Sequence, residues 1–220
     1  IELMRKAVSI AEDAFATAFN LLDVGVTESY IATEIKRNLL SHGATWEQIV
    51  VSAGANSANL AHQPSDYKIK KGDIIKLDIG VIYEGYCTDI ARTVALGKPS
   101  PLISNIYNAI KKAQKLAIDS IQPGAALSEV FKIAMNSVHK SGLTQYRRKH
   151  VGHSIGIEVE EHPFITPESN YKFMPNMVFC VEVPYYISRV AGINLEDMIL
   201  VTKKGIEVLS NRIPSELNLV

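Results

Sequence analysis

An internally duplicated α+β fold is predicted by three features of the sequence. Helical periodicity gives way to strand-length apolar runs once in each half. Turn glycines recur at a constant displacement: Gly25 and Gly43 reappear as Gly124 and Gly142, 99 residues further on in both cases. An acid also closes an apolar run in each half, and another acid opens the next. GDIIKLD (72–78) lies over NMVFCVE (176–182), and DIARTVAL (89–96) lies over EDMILVTK (196–203). The joint agreement points to one domain of two related halves, about 1–100 and 101–220.

The elements follow in chain order. Residues 2–22 read as a helix, because Met4, Ala7, Val8, Ala11, Ala14, Phe15, Ala18 and Phe19 recur at spacings of three and four. Thr27 is placed as the N-cap of a second helix that runs to His42, with Gly43 just past its end. WEQIVVSAG (46–54) reads as a strand, followed by a polar loop over 56–67. The β-rich runs on either side of Glu84-Gly85 read as a hairpin. Ser100-Pro101 pairs a cap with a first-turn proline and opens a helix to about Gln122. A fourth helix spans Leu127 to Lys140. Under the 99-residue shift, Ile31, Ile35 and Leu39 fall on Val130, Ala134 and Val138. The stretch HVGHSIGIEVEEHP (150–163) comes next, and then two strands, NMVFCVEVPYY (176–186) and GINLEDMILVTKKG (192–205).

Composition narrows the function classes. Apolar residues make up 47% and charged residues 21%, as in an ordinary globular chain with a core of its own. The formal net charge is zero, so neither nucleic acid nor an anionic membrane surface is an expected partner. The basic patches KKAQK (111–115) and RRK (147–149) read as solvated faces. No run of 18 apolar residues occurs, so no membrane span is predicted. Cys87 and Cys180 are the only cysteines; they read as reduced packing residues and fit a cytoplasmic setting. The chain opens on Ile1 rather than Met, which leaves room for a preceding domain.

The acids carry the chemistry. Asp78 lies inside IIKLDIGVI, where an unpaired carboxylate is costly. With Glu84-Gly85 as a two-residue turn, Asp78 faces Ala91 and Asp89 faces Gly80, so the two acids share a face as diagonal neighbours. Carboxylates that close repel each other unless a cation lies between them. Glu182 in VFCVEVPYY and Glu196 in NLEDMIL repeat the situation in the second half. His153, between Gly152 and Gly156, is the chosen nitrogen ligand. An oxygen-rich set with one nitrogen suits manganese, iron, cobalt or zinc better than calcium.

These residues resemble the pita-bread metallohydrolases: methionine aminopeptidase, aminopeptidase P, prolidase and creatinase. LDIG carries Asp78, TDIART Asp89, GHSIG His153, VFCVEVPYY Glu182 and NLEDMILVT Glu196, in the order Asp, Asp, His, Glu, Glu. The resemblance implies an antiparallel sheet with helices on its outer side, and two divalent cations, manganese first and cobalt, zinc or iron as alternatives. It implies that Glu182 bridges the cations and shuttles a proton. It also implies that His62, in LAHQPS, lies near the substrate. His150, read as the upstream histidine of an HxxGH pattern, favours the branch that cleaves Xaa-Pro bonds in peptides. Homodimers, and an N-terminal domain in proline-specific members, are further implications.

One position departs. Seven residues after the ligand histidine the family usually has a second histidine, and here that place is Glu160. Glutamate is no imidazole donor. Either His162, two residues later, takes the role, or Glu160 meets a cationic group on a different substrate. A creatinase-type C–N hydrolase and a catalytically weak binding protein of the same fold are therefore the competing readings.

Overall fold

The computed structural model describes residues 1–217. Two helices open each half: α1 (Glu2–Leu21) and α2 (Glu28–Ser41), then α3 (Pro101–Asp119) and α4 (Leu127–Lys140). The caps behave as read from the sequence. The Thr27 hydroxyl accepts from the Tyr30 amide, and Ser100 accepts from Ile103 with Pro101 in the first turn. α3 stops at Asp119, short of Gln122.

The strands of the first half are β1 (Thr45–Ala53), β2 (Ile74–Tyr83), β3 (Tyr86–Cys87) and β4 (Ile90–Ala95). Those of the second half are β5 (Gly152–Ser154), β6 (Glu161–Phe164), β7 (Val178–Glu182), β8 (Tyr185–Ile187), β9 (Ala191–Ile193), β10 (Glu196–Val201) and β11 (Ile206–Val208). The main sheet is antiparallel in the order β1-β2-β4-β10-β7-β5-β6, with β3 on β2 and β11 on β10. No helix among the described residues is long and apolar enough to cross a membrane.

Two strand expectations need correction. The run 176–186 is two strands, because Pro184, which has no N–H to give a ladder, separates β7 from β8. The run 192–205 likewise breaks between β9 and β10, and β8 and β9 form a small sheet of their own. The short strands β5 and β6, inside the histidine-rich stretch, carry too few residues for a period-two signal.

The sheet has two faces with different contents. Along β2, Ile75, Leu77 and Ile79 enter a core with Phe15, Ile31 and Leu39 of α1 and α2. Along β7, Phe179 and Val181 enter a second core with Ile110, Val130 and Val138 of α3 and α4. Burying each such side chain stabilises the fold by roughly 1.5–3 kcal/mol. The alternate residues, Asp78 and Glu182 among them, leave the opposite face.

Matching bonds recur in the two halves. The Gly25 amide donates to Ile69 O and the Gly124 amide to Phe173 O, both at 2.8 Å; the return bonds, Ile69 to Val26 and Phe173 to Ala125, are both 2.9 Å. The halves meet at β4 and β10, where Glu196 pairs with Ala91. Side chains reinforce this seam. Thr93 Oγ1 donates to Asn194 O and accepts from the Asn194 amide, at 2.9 and 2.8 Å. On the helix side, buried Arg92 donates to Asp197 at 2.5 Å and to Glu196 O at 2.7 Å. Asp197 also accepts from Ser210 and from Gln114 of α3. Removing one partner of such a pair strands a buried charge, so Arg92→Leu is expected to destabilise the chain by about 3–5 kcal/mol in denaturant unfolding. Arg92→Leu/Asp197→Leu should recover most of that loss. A single-variant cost below about 1 kcal/mol, typical of a surface pair, would show that the seam does not depend on it.

Candidate metal centre

Register brings the acids together. Asp78 pairs with Ala91, Ala91 with Glu196, and Glu196 with Glu182, which places one row across β2, β4, β10 and β7. Residues directly opposite in an antiparallel ladder share a face. Asp89 stands two residues before Ala91. His153 pairs with Cys180, itself two residues before Glu182. All five residues with metal-ligand character therefore leave the same face within one pleat of the row. The hairpin count from Glu84-Gly85 holds, since Tyr83 pairs with Tyr86.

Gly152 sets the height of His153. A Cβ there would lie 2.1 Å from Cys180 O, and its φ of +149° lies outside the range L side chains favour. Only glycine lets β5 approach β7 this closely.

Carboxylate oxygens of Asp78, Asp89 and Glu196 lie within 4.8 Å of one another, and His153, Cys180 and Glu196 form a second such group. His153 Nε2 is 3.7 Å from Glu196 Oε1. Glu196 is 3% exposed, and its Oε1 is buried with no hydrogen-bond partner. The electrostatic consequence is direct. Burial pushes Asp78 up to about 6, further raised by Glu182 and restrained by Lys76. Burial, with repulsion from Glu196 and Asp78, pushes Asp89 well above the carboxylate range. Glu196 is raised in the same way, by burial and by Glu182 and Asp78. Such a donor set, oxygen-rich with one imidazole and an orphaned buried oxygen, fits a divalent cation. Burial also raises the Cys180 thiol well above its ordinary range, which makes it a poor ligand.

The five residues line one cavity of about 260 Å³ with His150, Arg148 and Glu160. Gln48 and Asn194 brace it: Gln48 Nε2 donates to Asp78 at 2.9 Å, and Asn194 Nδ2 donates to Glu196 at 3.3 Å. His150 Nδ1 is 3.6 Å from Glu182 Oε1, and burial holds its pKa below the ordinary imidazole value. Its spacing, however, reads His150-Val151-Gly152-His153, one residue shorter than HxxGH; the corresponding place is Lys149.

Three further placements differ from the sequence reading. Arg148 is not a solvated member of RRK: its Nη2 donates to Glu182 Oε1 at 2.7 Å inside the cavity. His62 faces away, with Nε2 2.8 Å from buried Glu28, although its neighbours Leu60 and Ala61 line the cavity. Glu28 also accepts from Ala53, Asn56 and Ser65, so it anchors the whole 53–65 loop. His162 is exposed, packs edge-on against Phe164 at 5.1 Å and lines a separate hollow with Pro163, so it does not take the place Glu160 leaves. Glu160 lines both the cavity and an adjoining hollow that carries Glu47, Glu158 and Asp89. Gln48 follows Glu47 in the polar first half of β1, so no local signal marks it as part of the site. Nothing local in RRK singles out Arg148.

Known proteins resemble this chain along most of its length. The model of metallopeptidase family M24 matches residues 2–203. The uncharacterized peptidase YqhT of Bacillus subtilis (strain 168) is 33% identical over 219 residues, and an uncharacterized peptidase of Staphylococcus saprophyticus is 34% identical over 212. The chain spans about three-fifths of the length of these relatives, 62% and 61%. Among solved structures, the Xaa-Pro dipeptidase from Bacillus anthracis superposes with a TM-score of 0.93 at 33% identity, over 99% of this chain and 62% of that one. The prolidase from Pyrococcus furiosus superposes with 0.91 at 30% identity, over 96% of this chain and 63% of that one. The curled antiparallel sheet with helices on one side is the pita-bread fold of these structures. By the match along nearly its whole length, the chain belongs to metallopeptidase family M24.

Proposed function

We propose that the chain is the catalytic part of a dinuclear metal-dependent peptidase that hydrolyses N-terminal Xaa-Pro bonds, in the manner of a prolidase or aminopeptidase P. The observation that carries this reading is the single row of buried acids, Asp78, Glu196 and Glu182, with Asp89 and His153 beside it. Likeness to a Xaa-Pro dipeptidase and a prolidase supports the substrate class. Asp78, Asp89, His153, Glu182 and Glu196 would hold two divalent cations, with manganese the first candidate. When bound, the cations acidify a water and polarise the scissile carbonyl.

The chain's own groups do the rest. Glu182 takes the proton of the attacking water and passes it to the leaving nitrogen. Arg148 donates to its Oε1 and so orients the carboxylate in the cavity. Neutral His150, beside Glu182, is placed to hydrogen-bond the substrate carbonyl. With His62 held by Glu28, Leu60 and Ala61, rather than the His62 ring, face the substrate.

A second reading has its own observation. Glu160, Glu47 and Glu158 line the hollow beside the metal cavity with no basic side chain among its lining residues. That setting suits a substrate with a cationic group, including an amidino compound of the creatine type. Turnover of Xaa-Pro peptides set beside that of amidino compounds decides between the two; absence of amidino hydrolysis removes the second.

Manganese-loaded full chain is expected to cleave a Xaa-Pro peptide. Asp89→Ala should lose bound metal and more than about 100-fold of the activity, since even outer groups of a metal site cost 10–100-fold. Full turnover by that variant contradicts the assignment.

Protonation supplies an independent check. A carboxyl whose folded pKa is raised holds its proton where the unfolded chain has released it, so stability falls as pH rises through that window. For Asp78 the window lies between 3.8 and about 6. In chelator, the melting temperature should therefore fall across that range, and Glu196→Gln should melt about 2–4 °C higher than the natural chain at pH 8. A lower melting temperature for Glu196→Gln in chelator would show that the acids do not repel.

A further inference from the structure

The cavity over the acid row has one apolar wall. Leu60 and Ala61 form it, and among the described residues the others that line the cavity are all polar or charged. Leu60 is 61% exposed, so its side chain is open to whatever enters. Any apolar ring or side chain of a substrate finds its contact here.

That wall is a loop, and a buried cation holds it. Lys76 precedes Asp78 by two residues on β2, so it leaves the acid face of the sheet. It is fully buried, which is costly for an ammonium unless its donors are met. Backbone meets them. Nζ donates to Asn59 O at 2.9 Å and to Leu60 O at 3.2 Å, and lies 5.0 Å from the centre of the Tyr186 ring. Neither bond goes to an acid. The duplication shows that the sheet itself demands no cation at this place: where GDIIKLD lies over NMVFCVE, Lys76 falls on Cys180, a buried packing residue.

Other groups fix the loop on either side of the wall. Glu28 accepts from the Ala53 amide at 2.7 Å and from the Ser65 amide at 3.1 Å. Ser57, in the short 3-10 helix Gly54–Ala58, is pressed against β9. The Gly192 amide donates to its Oγ at 2.9 Å, and a Cβ at Gly192 would lie 1.9 Å from Ser57 O. At Asn59 and Leu60 themselves the tether is Lys76.

We propose that Lys76 is a positioning residue: by holding Asn59 O and Leu60 O it sets Leu60 as the apolar contact for the substrate. Its effect is on substrate affinity and runs through the loop. The inference rests on the Xaa-Pro peptidase reading above, and it assigns Lys76 and Leu60 parts that the metal centre does not need.

Steady-state kinetics of the full chain on a Xaa-Pro dipeptide at saturating Mn²⁺, set beside hydrogen exchange over residues 54–61, test it. Lys76→Met keeps the length of the side chain and removes its donors. It should raise KM about tenfold, leave kcat within about twofold and speed exchange of the loop amides about tenfold. Leu60→Ala, at an exposed position, should raise KM by a similar factor without speeding exchange. In Lys76→Met/Leu60→Ala, KM should be no higher than in Lys76→Met, because a displaced Leu60 has no contact left to lose. Fully additive rises would show that Lys76 acts on the neighbouring acids and not through Leu60, which overturns the inference. An unchanged KM for Leu60→Ala overturns it as well, with the core undisturbed. A natural chain that cleaves no Xaa-Pro peptide overturns the functional reading and this inference with it, whereas either of the other two results overturns this inference alone.

Discussion

Four carboxylates aimed into one cavity repel one another, and the architecture around them exists against that repulsion. The cost appears in the raised pKa values of Asp78, Asp89 and Glu196. A core does not accept such a cluster for stability, because apolar side chains of the same volume pack there without penalty. The opposite side of the same strands shows what packing alone selects: Ile75, Leu77, Ile79, Phe179 and Val181, all buried against helices. A charged pair on that side, Arg92 with Asp197, has its carboxylate met by Arg92, Gln114 and Ser210, while the Arg92 Nε stays without an acceptor. The acid face differs in that like charges gather on it, and the Glu196 oxygen left without a donor is one of them.

Duplication makes the cluster geometrically easy. A hairpin places one acid at the end of an apolar run and another at the start of the next, on one face. Two copies of that device set side by side at β4 and β10 bring the pairs into a single row. The matched hydrogen bonds at Gly25 and Gly124 position both helix pairs against the same side of the sheet. The helices therefore close one face, and the other is left for chemistry.

Much of this was legible in the sequence for identifiable reasons. Asp78 and Asp89 follow from counting back from a two-residue turn, because pairing there is local and period two allows no slack. The helices follow from strong periodicity and from the caps at Thr27 and Ser100. The register of Glu196 was not legible, since β8 and β9 leave the main sheet between Glu182 and Glu196. Long-range partners were equally hidden. His62 turns to Glu28, 34 residues away in the chain, and Arg148 to Glu182, also 34 away. Residue type marks a candidate, but the direction of a loop side chain is decided by whichever distant group satisfies it. His162 lies instead on the short strand β6 and packs against a near neighbour, Phe164, outside the cavity.

The central claim is that the row of acids exists to hold cations. Anomalous diffraction at the manganese edge, from crystals of the full chain grown with Mn²⁺, addresses it most directly. The account predicts peaks inside the cavity, within bonding distance of Asp78, Asp89, His153, Glu182 and Glu196. Density for manganese elsewhere only, or carboxylates that stay together with no metal between them, would contradict it.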